Sequence, residues 1–257
     1  MSTIVVTGAS AGIGLSISKY LLADARKHRL VLCCNSNDKA LRELANDPAN
    51  ADRVFVIKGD TADAKFVSTV FAQSLVHFEI DRIDALVLNH GTLGDGTRIA
   101  DCTQKTWEWV FRVNFFSIVD IIQHTIPYLR ESQGRIIITS SGAAEGSTTT
   151  WGPYGASKAA INHLARTLAK EEPVITTVSI RPGMVETGMQ TLIRGDASKH
   201  MDTTDRQRFV GAYEQGKLLP ADKPGHVTAR LATEAKKELS GLFLTWNDTK
   251  LADYQDA

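Results

Sequence analysis

No apolar run in this chain approaches the ~20 residues of a membrane-spanning helix, so no helical span is expected. Cysteine is scarce: three in 257 residues, with Cys33 and Cys34 adjacent. That is too few for a disulfide framework, and the spacing lacks the pattern of a zinc site. No metal is expected, and free thiols fit a reducing, cytoplasmic location. Neither sign of charge is in excess, with 29 Lys+Arg against 29 Asp+Glu. No basic stripe recommends nucleic acid, and no basic amphipathic helix recommends a membrane surface. Internal repeats, low-complexity tracts and linkers are missing as well. The first β-branched run starts at Thr3, which leaves no room ahead of it for a signal or transit peptide. What is present is an ordinary globular composition, 43% hydrophobic, in a length near the upper end for one domain. A single catalytic domain over 1–257 is the expectation.

Apolar β-branched runs alternate with segments of helical period. Strands are expected at 3–7, 29–34, 53–58, 84–89, 134–140, 174–180 and 241–246. Helices are expected at 13–26, 38–46, 63–78, 104–131, 154–171 and 222–234. Alternation of this kind implies right-handed crossovers and a parallel sheet covered on both faces, an α/β doubly wound fold. The stretch 188–222 is polar and irregular, with Gly195, Gly211, Gly216 and Pro220. Ligands of such folds bind beyond the carboxyl ends of the strands, so 188–222 is placed to be a substrate lid.

Two segments carry chemistry. Thr3–Thr7 reads as a strand, Gly8-Ala-Ser-Ala-Gly12-Ile-Gly14 as a turn, and Leu15, Ile17, Leu21 and Leu22 as a helix face. A strand, a glycine-rich turn and a helix amino terminus form half of a phosphate-binding site; a plain turn would give the same spacing. Further on, Tyr154 and Lys158 lie four apart on one helix face, and Ser141 ends the strand before it. An ammonium near a phenol lowers the phenol's pKa, and a serine hydroxyl can hold a reacting oxygen. A buried tyrosine, a solvated lysine and a turn serine would give the same short pattern.

The motifs gain meaning in combination. Thr7-Gly8-x-x-x-Gly12-x-Gly14, Asp60, Asn89-His90-Gly91, Asn114, Ser141, Tyr154-x-x-x-Lys158 and Pro182-Gly183-x-x-x-Thr187 occur in this order. Together they resemble the short-chain dehydrogenase/reductase family, from residue 3 to about 190. Asn114-Phe-Phe-Ser-Ile-Val119, Glu171-Glu-Pro173, Met184-Val-Glu-Thr187 and Gly241-Leu-Phe-Leu-Thr-Trp-Asn-Asp248 look like its fungal benzil reductase and sepiapterin-reductase-like branch. The resemblance implies a Rossmann-type, seven-stranded parallel sheet. It implies a catalytic set of Asn114, Ser141, Tyr154 and Lys158, with Asn114 holding a helix distortion and a water path to Lys158. The dinucleotide would be held by Gly8, Ser10, Gly12, Ile13, Gly14, Asn35, Ser36, Asp60, Thr61, Asn89 and Gly91, and by Tyr154, Lys158, Pro182, Gly183, Val185 and Thr187. Asp60 could instead be a helix cap. His90 departs from the family's usual Asn-Ala-Gly and is read as packing beside the cofactor. Ser141, Trp151, Tyr154, Met184 and Met189 would line an apolar substrate pocket.

The implied reaction is reversible hydride transfer between nicotinamide and a carbonyl or alcohol carbon, with Tyr154 as general acid and base. An acid that would select NAD is missing at Cys34, and the arginine that would select NADP is missing at Asn35. Asn35, Ser36 and Asn37 could donate neutral hydrogen bonds to a 2′-phosphate, with Lys39 in possible reach. NADPH is therefore expected, with NAD as the alternative. The aromatic and apolar helix 104–131 argues for a homo-oligomer, a dimer in particular. Two readings from other classes are a nucleotide-sensing regulator without turnover and a hydrolase using Ser141. The catalytic set argues against the first, and the absence of Gly-x-Ser-x-Gly against the second.

Overall fold

Buried strands of a parallel sheet need apolar side chains on both faces, and this sequence supplies them as continuous runs. The structure is a computed structural model that describes residues 1–256. Its strands are β1 (Thr3–Thr7), β2 (Arg29–Cys34), β3 (Val54–Lys58), β4 (Ala85–Leu88), β5 (Arg135–Thr139), β6 (Thr176–Arg181) and β7 (Phe243–Thr245). They form one seven-stranded sheet in the order β3-β2-β1-β4-β5-β6-β7, with every pairing parallel. Sequence order reverses between β1 and β4, and a cleft opens there at the carboxyl ends.

The helices are α1 (Gly12–Ala23), α2 (Lys39–Asn46), α3 (Ala64–Phe78), α4 (Gln104–Phe111), α5 (Ser117–Ser132), α6 (Gly152–Glu171), α7 (Gly188–Arg194), α8 (Thr203–Glu214) and α9 (Asp222–Glu234). Strand alternation splits the core in two. Ile4, Val6, Leu30 and Leu32 pack with Ile17, Leu21, Val227 and Leu231 of α1 and α9. Val5, Val31, Leu86 and Ile136 pack with Val67, Ile118, Ile121 and Ile161 of α3, α5 and α6. A third cluster lies outside the sheet and includes Leu93, Trp151, Tyr154, Ile193 and Phe209.

Two expectations are corrected. The segment 104–131 is not one regular helix, because a π-helical stretch at Arg112–Phe116 separates α4 from α5. Asn114 sits in that stretch, fully buried, and its side chain bonds to a neighbouring loop rather than standing in a regular turn. The stretch 188–222 is not irregular, because it contains α7 and α8. Their sequences are polar with few buried positions, so the helical period is weak in the sequence.

Candidate active site

The turn between β1 and α1 depends on glycine in two ways. Gly8 and Gly12 have φ of +62° and +51°, where side chains are strained. A Cβ at Gly14 would run into the Gly8 carbonyl, so α1 can approach the turn only without one. The residue ahead of α1, Ala11, makes no side-chain cap, which leaves the first N–H groups facing the cleft. A cavity of about 250 Å³ follows, lined among others by Gly8, Ser10, Asn35, Thr61 and Gly91. Asn89, His90 and Gly91 line it together with a larger cavity of about 710 Å³. The larger one takes in Gly12, Ile13, Pro182, Gly183, Val185 and Thr187. The pair forms one trough across the sheet's reversal point, and a dinucleotide fits that shape and its phosphate-facing turn.

Some predicted cofactor residues lie behind this lining. Gly14 backs the turn. Ser36 is exposed beyond the end of β2. Asp60 accepts from the Ala62 N–H at 2.9 Å in the turn ahead of α3, and the helix cap is Asp63, which accepts from the Lys65 N–H at 2.9 Å, so neither Asp60 nor Thr61 caps the helix. Asn37 accepts from the Lys39 N–H at 3.1 Å. The nearby cations are Arg42, 2.6 Å from Asp38, and Lys58, 3.9 Å from it. Lys58 pairs in register with Cys34, so β3 brings a cation beside the end of β2 that the linear sequence hid.

The four catalytic candidates converge from three parts of the fold. Tyr154 and Lys158 are buried on α6, Ser141 follows β5, and Asn114 lies in the π-stretch. Ser141 Oγ accepts from the Ala143 N–H at 3.1 Å, and Ser141 lines the same cavity as Tyr154. Lys158 Nζ donates to the Thr139 carbonyl at 2.8 Å and lies 5.9 Å from the Tyr154 ring centre. Asn114 is clamped: its Oδ1 accepts from Thr92 N–H at 2.7 Å, and its Nδ2 donates to Thr92 O at 2.8 Å and Ser157 Oγ at 3.1 Å. A Cβ at Gly91 would stand 3.3 Å from Asn114 Oδ1 and 3.5 Å from Lys158 Nζ, so these groups share one small space.

The electrostatics differ from the sequence expectation. Burial pushes the Tyr154 phenol up, and Ser141, not Lys158, is the group that lowers it. Burial also brings Lys158 down to about 8. Both groups have lost water, so each disfavours its charged form.

His90 proves to be a brace. Its Nδ1 lies 2.7 Å from Thr7 Oγ1 and its Nε2 lies 2.8 Å from Ser117 Oγ. Ser117 spends its proton on the Val113 carbonyl at 2.7 Å. Nε2 therefore carries the imidazole proton, and Nδ1 accepts from Thr7. The ring ties the end of β1 to the π-stretch. Burial, with Lys158 nearby, lowers His90 to about 4, so it is neutral at ordinary pH. The sequence reading of His90 as packing missed both bonds; they span residues far apart in the chain.

Trp151, Tyr154, Met184 and Met189 line the larger cavity with Ser141, together with Ile193 and Phe209 from the stretch after β6. Thr149 holds that stretch down: its N–H and Oγ1 each donate to Asp205 Oδ2 at 2.8 Å. Among the described residues no cluster of His, Cys, Asp or Glu could hold a metal, and no helix is long and apolar enough to cross a membrane.

Known proteins share this sequence and architecture. The sequence profile described as short chain dehydrogenase matches residues 2–198. A benzil reductase ((S)-benzoin forming) of Saccharomyces cerevisiae is 32% identical over 262 residues, covering 98% of each chain. An NADPH-dependent pterin aldehyde reductase of Arabidopsis thaliana is 27% identical over 231 residues, 88% of this chain and 92% of that one. The crystal structure of a short chain dehydrogenase/reductase from Saccharomyces cerevisiae superposes with a TM-score of 0.93 at 31% identity, over 100% of both chains. Glycine turn, sheet order and these matches agree: the chain belongs to the short-chain dehydrogenase/reductase family and is an NAD(P)-dependent oxidoreductase.

Proposed function

We propose that the protein is an NADPH-dependent carbonyl reductase acting on ketones or vicinal diketones. The observation that carries this reading is the convergence of Ser141, Tyr154 and Lys158 on the wall of one apolar cavity, with Lys158 held by the Thr139 carbonyl. When bound, the nicotinamide supplies the hydride. Ser141 holds the substrate oxygen, where negative charge develops. Tyr154 gives that oxygen its proton. Burial keeps the phenol protonated, which suits an acid working in the direction of reduction. Lys158, near 8, can exchange a proton around neutral pH and faces the ribose side of the trough. Asn114 holds the water path behind it. Trp151, Met184, Met189 and Phe209 keep water from the reacting carbon, and α7 and α8 act as the lid.

NADPH is favoured because no acid stands at Cys34 to repel a 2′-phosphate, and Asn35 lines the adenosine end. The pterin aldehyde reductase that is similar to this chain is named as NADPH-dependent. Oxidation of NADPH and of NADH with an aryl diketone tests the reading directly. Higher catalytic efficiency with NADH would replace it by an NAD-dependent alcohol dehydrogenase. The protein works as a homodimer in this proposal, since Trp109 and Phe116 expose 48% and 50% of their surface on the α4–α5 face. Light scattering at micromolar concentration should give twice 28.0 kDa. Buried, unpaired Cys33 and Cys34 suit a reducing, cytoplasmic setting.

A further inference from the structure

The larger cavity carries two charged groups without a side-chain partner among the described residues, Arg181 and Glu145, and of the two only Arg181 can donate to a substrate oxygen. Arg181 ends β6 and lines the cavity, and among the described residues its guanidinium has no hydrogen-bond or ion-pair partner. The other arginine on this wall is occupied. Arg208 donates to Thr148 Oγ1 at 2.9 Å, lies 3.9 Å from Asp205, and stacks 4.6 Å from the centre of the Phe209 ring.

A missing side chain gives Arg181 its place. A Cβ at Gly142 would stand 2.7 Å from Arg181 Nε, 2.8 Å from Cζ and 2.9 Å from Nη2. The guanidinium thus fills the volume that any larger residue at 142 would take. Gly142 directly follows Ser141 and opens the short turn whose Ala143 N–H holds Ser141 Oγ. A permanent positive charge therefore lies against the residue next to the proposed oxygen-holding hydroxyl. The backbone that carries it is anchored, since Arg181 pairs with Thr245 and its carbonyl accepts from Trp246 N–H at 3.0 Å, while the side chain itself is exposed toward the cavity. The rest of the pocket offers aromatic and thioether surface from Trp151, Phe209 and Met184. A guanidinium is a planar fork of donors suited to paired oxygen acceptors, and its bonds strengthen as water leaves.

We propose that Arg181 is a substrate-recognition residue that donates to a second oxygen function carried beside the reacting carbonyl, so that the enzyme selects vicinal dicarbonyl compounds, diketones or α-oxo acids, over isolated ketones. The inference rests on the carbonyl reductase reading and names its substrate class. It also gives Gly142 a role, as the gap that admits the guanidinium.

The test uses three ketones that share one phenyl ring: propiophenone, methyl phenyl diketone and phenylglyoxylate. kcat and KM are measured for the unmodified protein, Arg181→Ala, Arg181→Lys and Gly142→Ala. Dividing each variant by the unmodified protein cancels the intrinsic reactivity of each ketone. In Arg181→Ala, kcat/KM for the two dicarbonyl compounds should fall roughly 10- to 100-fold further than for propiophenone, mainly through KM, as loss of a charge-assisted hydrogen bond implies. Arg181→Lys should recover part of the loss. Gly142→Ala keeps the charge but displaces the guanidinium, and should reproduce the selective loss. A loss confined to phenylglyoxylate assigns the carboxylate as the preferred acceptor; one confined to the diketone assigns the carbonyl. Equal losses on all three ketones, or none, overturn the inference and leave carbonyl reduction standing. No turnover of any of the three by the unmodified protein overturns that reading and this inference with it.

Discussion

Acid should weaken this protein through one half-buried imidazole. His90 is held near 4, against 6.5 for an ordinary histidine. Between those values the unfolded chain takes up a proton that the folded chain refuses. Stability then rises with pH, so it is lost as pH falls below 6.5 and the loss levels off near 4. Each pKa unit is worth about 1.4 kcal/mol, so the full effect is about 3 kcal/mol and about 2 kcal/mol is reached by roughly pH 4.5. His90→Gln removes the titration while keeping a polar side chain between Thr7 and Ser117. His28 is also lowered by burial, and the carboxylates titrate too, but these are common to both proteins and cancel in the difference. Urea unfolding followed by tryptophan fluorescence at neutral and acidic pH measures it. The unmodified protein should lose about 2 kcal/mol more than the variant on acidification. Equal losses would refute a neutral imidazole wedged between β1 and the π-stretch.

Tyr154→Phe should lower kcat by ~10²–10⁴-fold, the usual range for a general acid, with reduced-cofactor affinity by fluorescence titration nearly unchanged; activity within a few-fold of normal would remove the assignment. Lys158→Met should abolish a rise in stability with pH between about 8 and 10.5, because the unfolded lysine holds a proton there that the buried one has released; denaturant midpoints across that window check it, and Cys33, pushed up to about 12 by burial, is shared by both proteins and cancels. Gly14→Ala should weaken cofactor binding at least ~10-fold, since the added methyl meets the Gly8 carbonyl and the turn must move; calorimetric titration with NADPH is the measurement. Asn35→Arg should tighten NADPH binding without tightening NADH, because charge-assisted contacts are about twice as strong as neutral ones; equal gains for both cofactors would mean the residue does not face the 2′-position.

What the sequence revealed and what it hid divide along a physical line. Strands such as Leu86–Leu88 and Ile136–Ile138 are buried on both faces, so an unbroken apolar run marks them whatever surrounds them. The glycine turn and the Tyr154–Lys158 pair are local in the chain, so spacing alone reveals them. The helices α7 and α8 were illegible as helices, because few of their residues are buried and polar residues on several faces blur the period. The π-stretch was signalled at Asn114 through the family resemblance, which implies a helix distortion there, and no break in the local apolar period marks its bounds. The His90 brace and the approach of Arg181 to Gly142 join residues distant in sequence. No window along the chain contains both partners, so only the folded arrangement exposes them. The proximity of Lys58 to the end of β2 is a matter of sheet register and was hidden for the same reason.

The reversal of strand order at β1 also bears on how the chain is made. Of the seven strands, the first to leave the ribosome is an interior one, and its two edges are filled by β2 and then by β4, where Ile4 meets Ala85. Until that distant segment emerges, an apolar ribbon with a bare edge waits in the nascent chain. Non-local pairings of this kind slow folding and expose sticky intermediates. The turn that receives the cofactor begins on that same ribbon, and its floor, Asn89 to Gly91, arrives just after β4. A carboxyl-terminal truncation anywhere before β6 would therefore leave an amino-terminal fragment prone to aggregate, with neither Pro182 nor Thr187 to complete the trough.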